Sequence, residues 1–302
     1  MLDPSPARCT RAYAGQSSLA DAAVKTGQKV FASFRRGGLA PPAIAAMKNA
    51  EALFSSGVVS AARKDQFLKE GFFVLESVVP EDHLRMMREE CTRFVAEFDA
   101  AFDANGGRRE GINAKGRYFI AKRYRDSRLG EFIFSDLMAD ICRATLGDNA
   151  CLFYEQFVVK GPEKGGKFSW HQDSGYLHPI PHDPYITCWV TLDDVNEANG
   201  TVYLLPYSRA GSPKLAPHVT NAETNDKEGY FGSDPGDPVI VPAGSIAVFS
   251  SLVFHRSGAN TTPNWRRVYL PQYSAAPLRR PDGSLVHFAD PIWENGKRRY
   301  GV

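Results

Sequence analysis

Ser245–Arg267 reads SIAVFSSLVFHRSGANTTPNWRR. An apolar, β-branched and aromatic run ends at His255. A cluster of Gly, Asn, Thr and Pro follows, and a second run opens near Trp265. Run, turn cluster and run is the punctuation of β-structure, here a hairpin-like return. Such a return carries Arg266 back beside a barrel mouth near His255. Outward from this stretch the pattern repeats. Leu152–Lys160, Tyr185–Leu192, Thr201–Leu205, Pro238–Val241, Ser245–Phe254 and Trp265–Tyr273 all have strand character, separated by turns rich in Gly, Pro, Asn and Asp. Many short strands with no helical periodicity between them predict an antiparallel sandwich or barrel, not βαβ units.

The N-terminal half has the other period. ARKDQFLKEG predicts a short helix stopped by Gly71, and Phe72–Leu75 a short strand. Val79-Pro80-Glu81-Asp82 opens a long helix with acidic residues in its first turn. On it Leu84, Met87, Cys91, Phe94, Val95, Phe98 and Phe102 recur at helical spacing, a stripe suited to bracing a sheet. Ser135–Leu146 predicts another helix, stopped by Gly147. Before all of these, PPAIAAMKNAEALFSSG predicts a helix opened by Pro41-Pro42 and stopped by Gly57. Residues 104–127 are basic and Gly-punctuated. They read as a solvated loop leading to a strand at Tyr118–Lys122, or as a substrate-facing lid that supplies Arg or Lys.

Composition narrows the function. Of 302 residues 43% are hydrophobic and 23% charged, as in an ordinary globular protein with room for one large domain. A formal net charge of +2 gives no electrostatic reason to expect nucleic acid or an anionic membrane as a partner. No apolar run approaches the roughly 18–20 residues of a membrane span. The opening MLDPSPARCTRAYAGQSS has no continuous apolar core, so a secretory leader is not expected. Cys9, Cys91, Cys142, Cys151 and Cys188 are odd in number and lack C-x-x-C spacing, which predicts reduced thiols and a cytoplasmic protein.

The chemistry centres on Trp170-His171-Gln172-Asp173. On a strand, residues two apart point to one face. An imidazole and a carboxylate then converge, two thirds of the 2-His-1-carboxylate set that leaves positions open on Fe(II). Taken singly, each candidate has a plain structural counterpart. His171 could be a hydrogen-bonded core histidine, Asp173 a turn cap, His255 a strand end and Arg266 half of a surface ion pair. His178 and His182, in HPIPH, sit between prolines in a loop and are weak ligand candidates. They and Tyr176 could face a substrate instead.

His171-Gln172-Asp173, Leu192-Asp193-Asp194, Gly244, His255-Arg256-Ser257-Gly258-Ala259-Asn260 and Arg266, eleven residues beyond His255, together resemble the phytanoyl-CoA dioxygenase superfamily. LKEGFFVLESVVPEDHL is similar to the opening of that family's domain, and the resemblance covers roughly residues 64–275. It implies an α+β, mainly β architecture: a double-stranded β-helix, or cupin-like jelly roll, with bracing N-terminal helices. Residues 1–62 would then be a partly helical extension and residues 63–302 the dioxygenase domain. By position, the resemblance makes His171, Asp173 and His255 the Fe(II) ligands and catalytic centre. Arg266 would pair with the side-chain carboxylate of 2-oxoglutarate, supported by the Ser257 hydroxyl, and Trp189 and Gln156 would line the cosubstrate pocket. Arg267 should face the other way. The implied activity is 2-oxoglutarate-dependent hydroxylation, or a related oxidation, of a small-molecule substrate, consuming O2 and releasing succinate and CO2. Related halogenases have a small residue where this chain has Asp173, which favours hydroxylation. After the Leu192-Asp193-Asp194 turn the family usually shows Pro-Gly-Ser-His, and this chain has Pro206-Tyr207-Ser208-Arg209, so the loop closing the substrate side is altered. The rival reading is a cupin-like metal-binding module, or an isomerase using Zn or Mn on the same ligands. Arg266 separates the two, because such a module needs no arginine at that return.

Overall fold

The helices form where their caps and apolar stripes predict. The structure, a computed structural model, describes residues 57–107, 113–162, 166–220 and 226–300. The helix expected between Pro41 and Gly57, the rest of the N-terminal extension and Cys9 lie outside the described residues. Helix α1 (Ala61–Glu70) starts at Ser60, whose hydroxyl accepts from the Arg63 N–H. It ends at Gly71, which takes the left-handed conformation at φ 83° and donates to the Phe67 carbonyl. Helix α2 (Glu81–Ala104) buries Leu84, Met87, Cys91 and Phe94. At 1% exposure Phe94 is a core residue, and truncating it to Ala would cost about 3–5 kcal/mol. Two further helices, α3 (Leu129–Ile133) and α4 (Asp136–Thr145), complete this layer, and a single turn, α5 (Tyr207–Ala210), follows later.

The strands are β1 (Phe72–Leu75), β2 (Arg117–Ala121), β3 (Ala150–Lys160), β4 (Phe168–His171), β5 (Ile186–Thr191), β6 (Val202–Leu205), β7 (Val219–Thr220), β8 (Lys227–Glu228), β9 (Asp237–Pro238), β10 (Ile246–Ser250), β11 (Phe254–Ser257), β12 (Arg266–Ser274), β13 (Asp290–Glu294) and β14 (Lys297–Arg298). All the pairings are antiparallel. An eight-stranded sheet runs β1-β10-β5-β12-β3-β13-β14 with β2 also on β3, and a four-stranded sheet runs β4-β11-β6-β9. The two sheets enclose a shared interior, the double-stranded β-helix that the strand pattern and the resemblance led us to expect.

Alternation on the large sheet sorts its residues cleanly. Phe157, Val159, Cys188, Val190, Val248 and Tyr269 point outward and pack with Met87, Cys91 and Phe94 of α2 in one core. Trp189, Ala247, Phe249 and Val268 point inward and pack against Val202 and Leu204 of the small sheet. The helical layer thus covers one face and leaves the inward face to form a pocket. Cys91, Cys142, Cys151 and Cys188 are free and buried in these layers.

Three local expectations need correction. Ser245–Phe254 is not one strand: β10 ends at Ser250, a turn closed by the Val253 N–H on the Ser250 carbonyl intervenes, and β11 starts at Phe254. The return from His255 to Arg266 is not a hairpin, since β11 belongs to the small sheet and β12 to the large one. Pro238–Val241 contributes only β9 and an isolated bridge from Val241 to Val195. The strand expected at Tyr118–Lys122 is present one residue earlier as β2, hydrogen-bonded along β3 from Arg117↔Lys160 to Ala121↔Gln156.

Candidate active site

His171 and His255 meet because their strands pair in register. On β4 and β11 they are direct partners, and partners in an antiparallel pair share a face. Their ring centroids lie 4.1 Å apart. Asp173 arrives differently from expectation. β4 ends at His171, Gln172 keeps extended backbone, and Asp173 opens a short 3-10 turn. That one extended residue preserves the two-residue alternation. Asp173 Oδ1 lies 3.8 Å from His171 Nε2 and 3.5 Å from His255 Nε2. Ligand-type atoms of His171, Asp173 and His255 all fall within 4.8 Å of one another, a group that could hold a metal ion.

The surrounding hydrogen bonds fix which atoms face the centre. His171 Nδ1 donates to the Ser169 carbonyl at 2.8 Å and His255 Nδ1 to the Val253 carbonyl at 3.0 Å. With Nδ1 protonated, each Nε2 presents a lone pair. Asp173 Oδ2 accepts from Thr187 Oγ1 at 2.5 Å and from Gln272 Nε2 at 3.1 Å, leaving Oδ1 for the centre. Burial, with His255 alongside, pushes His171 down to about 3. Burial works to raise Asp173, but the two histidines and the Thr187 hydroxyl outweigh it and hold the carboxyl at about 2. A neutral imidazole at His171 and an ionised carboxylate at Asp173 are protonation states a divalent cation requires, and with His255 alongside the donor set fits Fe(II).

The same cavity, about 390 Å³, is lined by Gln156, Trp189, Ser257 and Arg266 as well as the three ligand-type residues. All four of the cosubstrate candidates are therefore brought to it. Arg266 is 1% exposed. Its Nη2 donates to the Gly200 carbonyl at 2.8 Å, while Nε and Nη1 are buried with no hydrogen-bond partner among the described residues. Its guanidinium carbon lies 5.8 Å from the Trp189 ring centroid. Burial pulls the group down to about 9, against the opposing pull of Asp193, so it stays a cation at neutral pH. Arg267 faces outward as strand alternation requires and holds Asp193 through Nε at 3.0 Å and Nη2 at 2.7 Å.

Other candidates separate. Tyr176 lines the cavity and packs edge-on against His171, with centroids 5.3 Å apart. His182 turns to the Ser174 hydroxyl at 3.0 Å. Neither His178 nor His182 is among the cavity-lining residues or in the ligand-type group. Sequence reading missed Thr187, Gln272 and Lys160. Lys160 is 1% exposed, and its Nζ donates to Ser257 Oγ at 2.9 Å and to the Gly258 carbonyl. A signal was present: alternation from Gln156 through Val158 puts Lys160 on the inward face of an apolar strand.

The "Phytanoyl-CoA dioxygenase domain-containing protein 1" of Danio rerio is 25% identical over 251 residues, covering 68% of this chain and 86% of that protein. "Ectoine dioxygenase" of Bordetella parapertussis is 24% identical over 226 residues, covering 69% of this chain and 73% of that protein. The crystal structure of EvdO2 from Micromonospora carbonacea var. aurantiaca with 2-oxoglutarate has TM-score 0.59 at 22% identity, covering 76% of this chain and 96% of that one, a likeness of fold. The profile of the family described as Phytanoyl-CoA dioxygenase (PhyH) matches residues 67–268, about two thirds of the chain. The chain belongs to the phytanoyl-CoA dioxygenase family.

Proposed function

We infer that the protein is a non-haem Fe(II)- and 2-oxoglutarate-dependent dioxygenase that hydroxylates, or otherwise oxidises, a small molecule. The observation that carries this is the joint presence, in one cavity, of a two-histidine, one-carboxylate group and a buried arginine with two unpartnered donors. A guanidinium fork matches a carboxylate with two parallel charge-assisted hydrogen bonds. In this reading His171, Asp173 and His255 hold the iron, and Arg266 takes the distal carboxylate of the cosubstrate with Ser257 beside it. Trp189 and Gln156 form walls of the cosubstrate pocket. A metal-binding module without this cosubstrate has no use for Arg266.

Bound iron with 2-oxoglutarate and O2 supplies the oxidising equivalent and yields succinate and CO2. The chain's part is to orient and to exclude water. Three ligands leave positions for the 2-oxo acid and for O2. Much of the remaining wall is aromatic, with Phe119, Phe153, Tyr154, Phe168, Tyr176 and Tyr185. Such a wall suits a substrate with an aliphatic or ring-bearing body and shields the reacting centre from solvent. No described helix is long and apolar enough to cross a membrane.

The test is anaerobic addition of Fe(II), then of 2-oxoglutarate, to the purified protein. A visible absorbance band that needs both, and slow succinate release on admitting O2, are the expected results. The His255→Ala protein should keep its fold and lose both signals. Full iron occupancy in that variant would remove His255 from the centre.

A further inference from the structure

Lys160 sits directly across from Arg266 on β3 and β12. On its other side, on β2, its register partner is Arg117. Three cationic side chains thus run in a row across adjacent strands, on one face of the sheet. Like charges opposite one another destabilise a sheet, and burial worsens the penalty. Lys160 and Arg266 are each 1% exposed. Asp226 serves the Arg117 end, with 3.9 Å between Arg117 Nη2 and its Oδ1. No salt bridge reaches Lys160 or Arg266 from a carboxylate of the described residues. A fold that holds two desolvated cations side by side, one of them lining a pocket, is arranged for an anion that arrives from outside.

We propose that Lys160 is a positioning residue of the cosubstrate dock, holding the Ser257 hydroxyl so that Ser257 and Arg266 together receive the distal carboxylate of a 2-oxo dicarboxylic acid. The inference rests on the 2-oxoglutarate reading of the pocket. Lys160 does not line the cavity, whereas Ser257 and Arg266 do, so it acts through its neighbours. Its Nζ donates to Ser257 Oγ and to the Gly258 carbonyl. An ammonium has only donors. The Ser257 oxygen must therefore accept on that side, and its own proton is left to donate away from Lys160, toward a carboxylate in the pocket. Gly258 adjoins Ser257, so Lys160 also clamps the backbone that carries the hydroxyl. Without a ligand, burial and the nearby Arg266 and Arg117 hold Lys160 well below the ordinary lysine range. An arriving carboxylate favours the charged form.

The experiment compares two 2-oxo acids that share the chelating end: 2-oxoglutarate, and 2-oxobutanoate, which lacks the distal carboxylate. Both are titrated against the anaerobic Fe(II) protein by the visible band and by calorimetry, in wild type, Lys160→Met, Lys160→Arg and Ser257→Ala. Lys160→Met should weaken 2-oxoglutarate about 10- to 100-fold, the range expected for hydrogen bonding to a charged group. It should leave 2-oxobutanoate and iron affinity unchanged. The KM for 2-oxoglutarate should rise while kcat at saturation holds. Lys160→Arg should recover part of the loss, and Ser257→Ala should add little in the Lys160→Met background, because the two act as one unit. Unchanged 2-oxoglutarate affinity in Lys160→Met overturns the proposal, as does an equal loss for both acids, which marks general damage to the pocket. Should Lys160→Met not fold, Ser257→Ala carries the same comparison with Lys160 in place. A wild-type protein that gives no band with 2-oxoglutarate defeats the cosubstrate reading itself, an outcome visible before any variant is made.

Discussion

Asp173 divides its two oxygens between two duties. Oδ1 faces the imidazole nitrogens, and Oδ2 is held by Thr187 and Gln272, which also bond each other at 2.8 Å. The carboxylate is thereby locked in one rotamer before any ion arrives. Thr187→Val keeps the shape and deletes the hydroxyl, so it should weaken iron binding about 10- to 100-fold, as loss of a ligand's supporting partner does. Iron titration in the presence of 2-oxoglutarate reads this, and an unchanged affinity would mean that Gln272 suffices. Arg266 and Arg267 give a sharper contrast. Stranding a buried carboxylate typically costs about 3–5 kcal/mol, or two to three and a half decades at roughly 1.4 kcal/mol per tenfold. Arg266→Ala should raise the 2-oxoglutarate requirement by that much and spare iron. Arg267→Ala removes only a partly exposed pair with Asp193 on the outer face and should do far less. The reverse ranking would place the wrong arginine in the pocket. Strand alternation put Arg266 and Arg267 on opposite faces in the sequence, and the family resemblance indicated which of them serves the pocket. Thr187 was not legible in the same way, since a threonine in a strand is ordinary and its meaning comes from cross-strand neighbours that a single strand does not name. For Lys160 alternation showed the inward face, but not the hydroxyl it holds.

Elements show where local pattern stops being informative. The stretch from Phe254 to Tyr273 has the run-turn-run pattern of a hairpin, yet it carries the chain from the small sheet to the large one. Both routes use the same turn residues, so composition cannot separate them. Asn260 is what fixes the crossing: its Nδ2 donates to the carbonyls of Lys160, Gly161 and Asn264, and its Oδ1 accepts from Thr262. Across from this turn lies Gly200, at φ 82°, whose carbonyl receives Arg266. A Cβ built there would stand 2.5 Å from the Gly258 carbonyl oxygen, a backbone atom that cannot swing aside. Gly200→Ala should therefore displace the Arg266 acceptor and weaken 2-oxoglutarate binding as well as stability. Gly211, at φ 79° in open space, is the control. Gly211→Ala should cost only the left-handed conformational penalty of roughly 1–2 kcal/mol and leave cosubstrate binding alone. Thermal melts and 2-oxoglutarate titrations on both variants separate backbone strain from damage to the dock. Equal binding in the two variants would show that the Gly200 contact is incidental.

At the scale of the molecule, the large sheet has two unlike faces. Inward it sets Gln156, Gln272 and Arg266 among aromatic and aliphatic residues around the cavity, while outward it is apolar under the helices. Glu155 breaks that division. It lies on the outward side of β3 with no exposure, and its Oε1 accepts the N–H groups of Arg123 and Tyr124. Burial dominates those hydrogen bonds and raises its carboxyl from 4.5 to about 7. A folded-state value above the unfolded one means that the fold prefers the protonated form. The stabilising contribution is thus complete below pH 4.5 and is lost as pH rises through about 7. Across that window the loss is on the order of 3 kcal/mol. Glutamine keeps the accepting oxygen and never ionises. Glu155→Gln should therefore be more stable than wild type above pH 7, with the gap closing as pH falls toward 4.5. His171, depressed by burial to about 3, contributes a slope of opposite sign below its ordinary 6.5. Both proteins carry it, so it cancels in the difference. Denaturant midpoints of the two proteins across this range make the test. Parallel curves would show that Glu155 stays ionised in the fold, with the Arg123 and Tyr124 N–H groups enough to hold a buried charge under the helical layer.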